Sequence, residues 1–397
     1  MNTSIDSALY AMLPGPRAFI QRVALSANEH RHLVINHPHS ISLGLRNAIR
    51  RGLLDAHIDP EDVIILTIQD DADVAACVGV HFGHQRMTGA VLAGIAGTAP
   101  KAVVLIAAGK QSQSHCDNYA ADFRSATGYS HGLTRLVTLM QEADFRGDIT
   151  DGASRVITFD GGLLPQEMSA YIAFRMVNRP CFGSTGLLSA IVAEFAGFDA
   201  EFAERLMLMN TSQLLGIQAG LELLMEEDPL RWRHASWLTG SLSHCSTTPH
   251  VLHDCYLAKY GVGDTRELAR KRIEARYWRA CVREITPWIE ERRHNVMRVF
   301  HPKLRAIAAS HPSGMIVIPS PSPHKERYVH PEDVETNNIV GMVRHGVLSV
   351  TEANETMALS LCRLIKPVRD DIAHLRAPSA TDLVELVRSV DQWASAR

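Results

Sequence analysis

Over the first 165 residues, short apolar runs alternate with longer stretches of helical periodicity. The runs are 32–36 (HLVIN), 63–68 (VIILTI), 102–108 (AVVLIAA) and 155–160 (RVITFD). Each is brief and rich in branched residues, the pattern of strands covered on both faces. After the first run, Leu43, Leu45, Ile49, Leu53 and Leu54 recur at helical spacing, so Ser40 is expected to cap a helix over 41–55. A turn is expected at Asp59-Pro60-Glu61-Asp62, and 119–143 reads as one helical stretch. Strands alternating with helices predict an α/β domain over 1–165 with a mostly parallel sheet.

The strand pattern then stops. Helical periodicity over 184–196 and 199–209, broken by Gly183, Gly197 and Gly216, predicts a helical domain over 166–263; its stretch 232–253 is rich in Ser, Thr and His and resists a reading. A third, helical domain is expected over 264–397. Tyr277, Cys281, Ile285, Trp288, Val296 and Val299 form an apolar stripe, interrupted at Thr286-Pro287, where a kink or two abutting helices are expected. Residues 310–338 read as an inserted surface loop with one short strand at 315–318. Helices resume over 339–344 and 350–365; Pro367 is expected to kink or end the last of these, leaving 368–375 and 381–396 as separate pieces.

Composition adds limits. The chain is 46% hydrophobic and 21% charged with a formal charge of −3, which excludes whole-chain disorder. No apolar run approaches the ~20 residues of a membrane span. The opening residues carry Asp6 and no basic segment, so no secretory signal is expected. Seven cysteines without a C-x-x-C pair fit reduced packing thiols in a cytoplasm. The 20 histidines, scattered through every segment, read mainly as surface and capping groups.

Catalytic motifs are sparse in the α/β segment. A phosphate loop needs glycines, a lysine and a Ser or Thr. The loop at 36–42 (NHPHSIS) has neither glycine nor lysine, and Gly109-Lys110-Gln111-Ser112 lacks the upstream glycine and places its serine one residue late. A non-hydrolysing scaffold is therefore expected. His37 and His39 offer a metal pair, with Asp160 as a further ligand, which leaves a metal-dependent hydrolase open as an alternative. No G-x-S-x-G elbow or activated cysteine is present.

The C-terminal third carries more. Residues 266–305 hold twelve Lys/Arg against five Glu, so this segment is at +7 and the rest of the chain at −10. Such asymmetry suits a phosphate backbone, with Arg279, Arg283, Arg292 and Arg293 as RNA-binding candidates; a solvated helix whose charges confer solubility explains it equally. Downstream lies Arg369-Asp370-Asp371-Ile372-Ala373-His374. An Arg, a polar residue and a His five positions after the Arg resembles the signature of HEPN domains. The resemblance implies a small helical bundle, metal-independent RNA cleavage and pairing of two motifs into one site. The first ~160 residues, with Leu13-Pro14-Gly15-Pro16 before a helix and a degenerate first loop, resemble inactive relatives of STAND-type NTPases from bacterial conflict systems.

The chemistry is coherent: His374 can move the 2′-OH or leaving-group proton, Arg369 can stabilise the phosphorane, and Asp370 can orient either. Five positions on a helix rotate a side chain by ~140°, so one Arg and its own His do not face squarely together. The pairing of motifs that the resemblance implies, together with the apolar stripe at 277–288, makes a homodimer expected, and a protein partner is expected as well. The expected function is a cytoplasmic conflict-type protein with an RNA-cleaving or RNA-binding HEPN-like domain, without cofactor, metal or membrane. A non-catalytic interaction module, with Arg369 and Asp370 as surface charges and His374 closing a helix, remains the alternative.

Overall fold

The computed structural model describes residues 7–38, 43–97, 99–141, 149–150, 154–177, 182–183, 185–318 and 327–395. It divides into two compact units: Met1–Tyr171 with Ala196–Leu206 and Leu224–Tyr256, and Ile172–Phe195 with Met207–Leu223 and Leu257–Arg397. The expected middle segment, 166–263, is thus shared between both units.

The first unit opens with α1 (Ser7–Met12) and α2 (Pro14–Glu29), followed by β1 (His32–Asn36), α3 (Leu43–Asp55) and β2 (Val63–Ile68). Then come α4 (Val74–His81), α5 (Gly89–Gly94), β3 (Ala102–Ala107), α6 (Lys110–Thr127), β4 (Arg135–Met140), β5 (Ile149–Thr150) and β6 (Arg155–Thr158). The sheet order is β2-β3-β4-β1-β6-β5, parallel except for β5. The register sets Ile35 of β1 between Leu139 of β4 and Ile157 of β6. Phe19 and Val23 of α2 and Leu45 and Ile49 of α3 cover one face; Val78, Leu92 and Phe123 of α4, α5 and α6 cover the other. Two apolar faces require the near-continuous apolar strands read from the sequence. The buried His32 imidazole bridges Ser154 Oγ (2.7 Å) and Thr138 Oγ1 (3.1 Å), so it is a structural group of the sheet.

One correction concerns 119–143. The helix ends at Thr127, and β4 occupies the centre of the sheet. Leu136, Val137, Thr138 and Leu139 are all buried, so no polar face alternates along the strand and its periodicity is silent. The cap expected at Ser40 lies outside the described residues.

Short helices follow: α7 (Pro165–Arg175), α8 (Leu187–Ala196), α9 (Ala200–Met207), α10 (Thr211–Leu215), α11 (Ile217–Glu226) and α12 (Val251–Tyr260). The rest of the second unit is α13 (Gly263–Ala309), a hairpin of β7 (Ile316–Ile318) and β8 (Arg327–Val329), then α14 (Thr336–Arg344), α15 (Ala353–Ala373) and α16 (Ala380–Ser395). α15 packs against α13, α14 and α16. No helix among the described residues is long and apolar enough to cross a membrane.

Prolines break fewer helices than expected. Pro287 and Pro302 lie inside α13 and Pro367 inside α15, so the two abutting helices at 286–287 and the break at 367 are absent. Each proline deprives the carbonyl four residues earlier of its donor. Those carbonyls belong to Arg283, Arg298 and Arg363, all exposed residues on the solvent side, where water can take the donor's place. The stripe residues Tyr277, Cys281, Ile285 and Trp288 are buried within the chain itself, so the expected dimer face is spent on the fold.

Candidate functional site

The Arg369–His374 segment forms the last turn and a half of α15. Trp278 Nε1 of α13 donates to the Ile372 carbonyl at 2.9 Å and pins this end of the helix. His374 is the C-cap; its N–H returns to the Asp370 carbonyl at 3.0 Å and its ring is exposed. Leu375 follows with φ +59, a left-handed residue without the usual glycine, and Arg376 N–H closes onto the Asp371 carbonyl at 2.8 Å. The helix therefore stops where no glycine announces it.

Arg369 is half-buried, with Nε 3.6 Å from Glu290 Oε1 and Nη1 3.5 Å from Glu335 Oε2. Both separations exceed an N–H···O hydrogen bond, so these are loose ion pairs, held by carboxylates from α13 and from the residue before α14. Asp370 pairs with Lys366 at 2.6 Å, one turn earlier, rather than with Arg369 or His374. The segment thus offers an exposed imidazole and a loosely held guanidinium on one helix, ~140° apart around its axis.

The four basic candidates of α13 are all engaged. Arg279 Nε lies 2.8 Å from Glu194, Arg283 Nε lies 3.3 Å from Glu284, and Arg293 Nε lies 2.7 Å from Glu290. Arg292 pairs with Glu291 and stacks over the Trp288 ring with its guanidinium 5.0 Å from the centroid. Lys303 and Arg305 are likewise paired, with Glu355 and Glu332. Carboxylates distant in sequence, such as Glu194, neutralise charges that a local count leaves bare.

In the α/β unit, the loop after β1 is described only to Pro38. His37 is buried, with Nδ1 2.6 Å from the Pro38 carbonyl, and His39 lies outside the described residues. No group of three His, Cys, Asp or Glu side chains is placed to hold a metal ion among the described residues. At Gly109-Lys110, the α6 N-terminus is already filled. Asp70 Oδ1 accepts from both the Ser112 N–H and its hydroxyl at 2.8 Å, and these bonds hold the carboxyl below its ordinary range. A carboxylate stands where a phosphate loop would place its anion.

Sequence reasoning missed the organisation around Asp160, the residue two positions beyond β6. Its Oδ1 accepts from Trp237 Nε1 at 2.6 Å and from the His244 N–H at 3.0 Å, and its Oδ2 accepts from the Ser243 hydroxyl. Three residues of the unreadable stretch 232–253 thus converge on one carboxylate. Gly162 is required there, because a Cβ would sit 2.3 Å from Ser243 Oγ. Beside it lies a small cleft of about 50 Å³, lined by Tyr10, Phe159, Phe198, Asp199, Glu201 and Arg231 among others. Burial first, then the Glu201, Asp199 and Asp160 carboxylates, push the Tyr10 phenol far up. Burial also raises Asp199, and burial with Asp160 raises the Cys245 thiol to about 11. These shifts describe an acid-lined, structurally saturated cleft without an activated nucleophile. The only signal in the sequence was Asp160 at a strand end before Gly161-Gly162, where open parallel sheets place ligand sites.

No protein-family model and no curated protein sequence matches this chain.

Proposed function

We propose that the chain is a cytoplasmic RNA-acting protein of the bacterial conflict type, working in phage defence or a toxin-like response, in which two copies unite their Arg369–His374 segments into a metal-independent ribonuclease centre. The observation that carries this reading is the exposed His374 imidazole at the end of the helix that also bears Arg369. In the proposed reaction one His374 takes the proton of a ribose 2′-OH as its oxygen attacks phosphorus. The second copy's His374 protonates the departing 5′-oxygen, leaving a 2′,3′-cyclic phosphate and a 5′-hydroxyl. Arg369 exchanges its loose contacts with Glu290 and Glu335 for the phosphorane oxygens. Exposed Leu375, beside His374, is the natural apolar contact between the copies. The α/β unit serves as a non-hydrolysing scaffold; the absent glycines and lysine at 36–42 and the Asp70 carboxylate on α6 support that role.

The test is cleavage of RNA by purified protein in EDTA. His374→Ala and Arg369→Ala should each lose about 10²-fold or more in rate, as acid–base and electrostatic groups do. Both variants should keep their stability within about 1 kcal/mol, because neither residue is buried in the core. Full activity in either variant overturns the assignment. A second reading, a non-catalytic interaction module, draws on the pairing of Arg279, Arg283, Arg292, Arg293 and Arg369 with the chain's own carboxylates. It predicts binding of a partner that neither variant disturbs.

A further inference from the structure

The arginines that attract attention in the sequence spend their charge internally; others do not. In the α/β unit, α1, α2 and α3 border a depression of about 1310 Å³, counted with its open mouth. Arg17 and Gln21 of α2 and Asn47, Arg50 and Arg51 of α3 line it. Arg51 pairs with Asp55 at 3.0 Å. Arg17, Arg50, Gln21 and Asn47 make no ion pair or side-chain hydrogen bond among the described residues. Arg17 and Arg50 are exposed. Two helices thus present uncommitted guanidinium and amide donors to one concavity, whose apolar lining includes Ala8, Ala11, Ile20 and Leu54.

We infer that this depression is a phosphate-backbone docking surface for RNA, resting on the proposed RNA-directed function. An arginine already bound to a carboxylate gains little from a phosphate, since the exchange replaces one anion with another. A solvated arginine releases condensed counterions from the RNA and adds its full contribution. Arginine with Asn and Gln is also the donor set that backbone contacts use. The depression holds no aromatic side chain, so it offers no stacking platform for bases. It tracks the strand rather than reading sequence.

The experiment is fluorescence anisotropy of a fluorescein-labelled single-stranded RNA of about 20 nucleotides against the full chain carrying His374→Ala, titrated at several salt concentrations. Adding Arg17→Glu and Arg50→Glu should weaken binding by at least about tenfold and reduce the salt slope by about 1.4, two phosphate contacts for a single strand. Adding Arg279→Gln and Arg283→Gln instead should change affinity by no more than about threefold, with melting curves confirming that both proteins fold. Unchanged binding in the Arg17/Arg50 variant overturns the docking surface but leaves RNA recognition standing. Absence of RNA binding by the parent overturns both. Competition by poly-glutamate as strong as by RNA would reassign the depression to acidic peptides and overturn the RNA assignment.

Discussion

Asp160 in the α/β unit and Glu290 in the helical unit both hold positions near functional candidates, yet they are held in opposite ways. Asp160 accepts from an indole N–H, a hydroxyl and a backbone N–H, all from one otherwise irregular stretch. Glu290 stands between two arginines, with Arg293 at 2.7 Å and Arg369 at 3.6 Å. The first carboxylate organises a fold, because fixed neutral donors have no other partner once it is gone. The second holds Arg293 tightly and Arg369 only loosely, so of the two only Arg369 is free to turn to water or to a phosphate. Anions held by several fixed donors mark structure in this protein, and the loosely paired Arg369 marks a surface free to work.

Removing Asp160 gives the largest effect. Asp160→Ala should cost about 3 kcal/mol in denaturant unfolding, because it strands several donors at a partly buried site. The same variant should expose Cys245. In the parent chain this thiol, pushed up to about 11, stays protonated and resists iodoacetamide near neutrality; alkylation should accelerate clearly when Asp160 is lost.

An intermediate effect depends on pH, in the same direction in both units. Lys303, with the Thr351 and Glu352 N–H groups, holds the Glu355 carboxyl below its ordinary 4.5, and Ser112 holds Asp70 below 3.8. A carboxyl depressed in the folded state stabilises it fully above the unfolded pKa and loses that contribution as pH falls through the folded value. The stability gap between the parent chain and Glu355→Gln, or Asp70→Asn, should therefore be open near about pH 6 and close towards about pH 3. A gap that is constant with pH would show that neither carboxylate is preferentially bound in its charged form.

The smallest effect belongs to Glu290. Glu290→Gln should change stability by less than about 1 kcal/mol, as exposed pairs do. A loss comparable to Asp160→Ala would erase the contrast between the two carboxylates.

Much of the architecture is legible in the chain. The runs at 32–36, 63–68, 102–108 and 155–160 became β1, β2, β3 and β6, since short branched apolar segments have few other uses in an α/β fold. β4, buried like β3, was hidden because Thr138 interrupts its apolar run and the helical pattern before it runs on. The length of α15 was hidden because Pro367 looks like a stop when its freed carbonyl faces water. The sites divide in the same way. The Arg369–His374 spacing is local and visible in sequence. The neutralising of Arg279 by Glu194, 85 positions away, and the gathering of Trp237, Ser243 and His244 on Asp160 depend on tertiary placement that no local pattern encodes.

The central claim is that two copies build one metal-free centre from Arg369 and His374. RNA cleavage in EDTA, followed across a range of protein concentrations, tests it most directly. Activity per chain should rise with concentration until the dimer is saturated, resist EDTA throughout and vanish with His374→Ala. Intact RNA at every concentration, cleavage abolished by EDTA, or a rate per chain independent of concentration would contradict it.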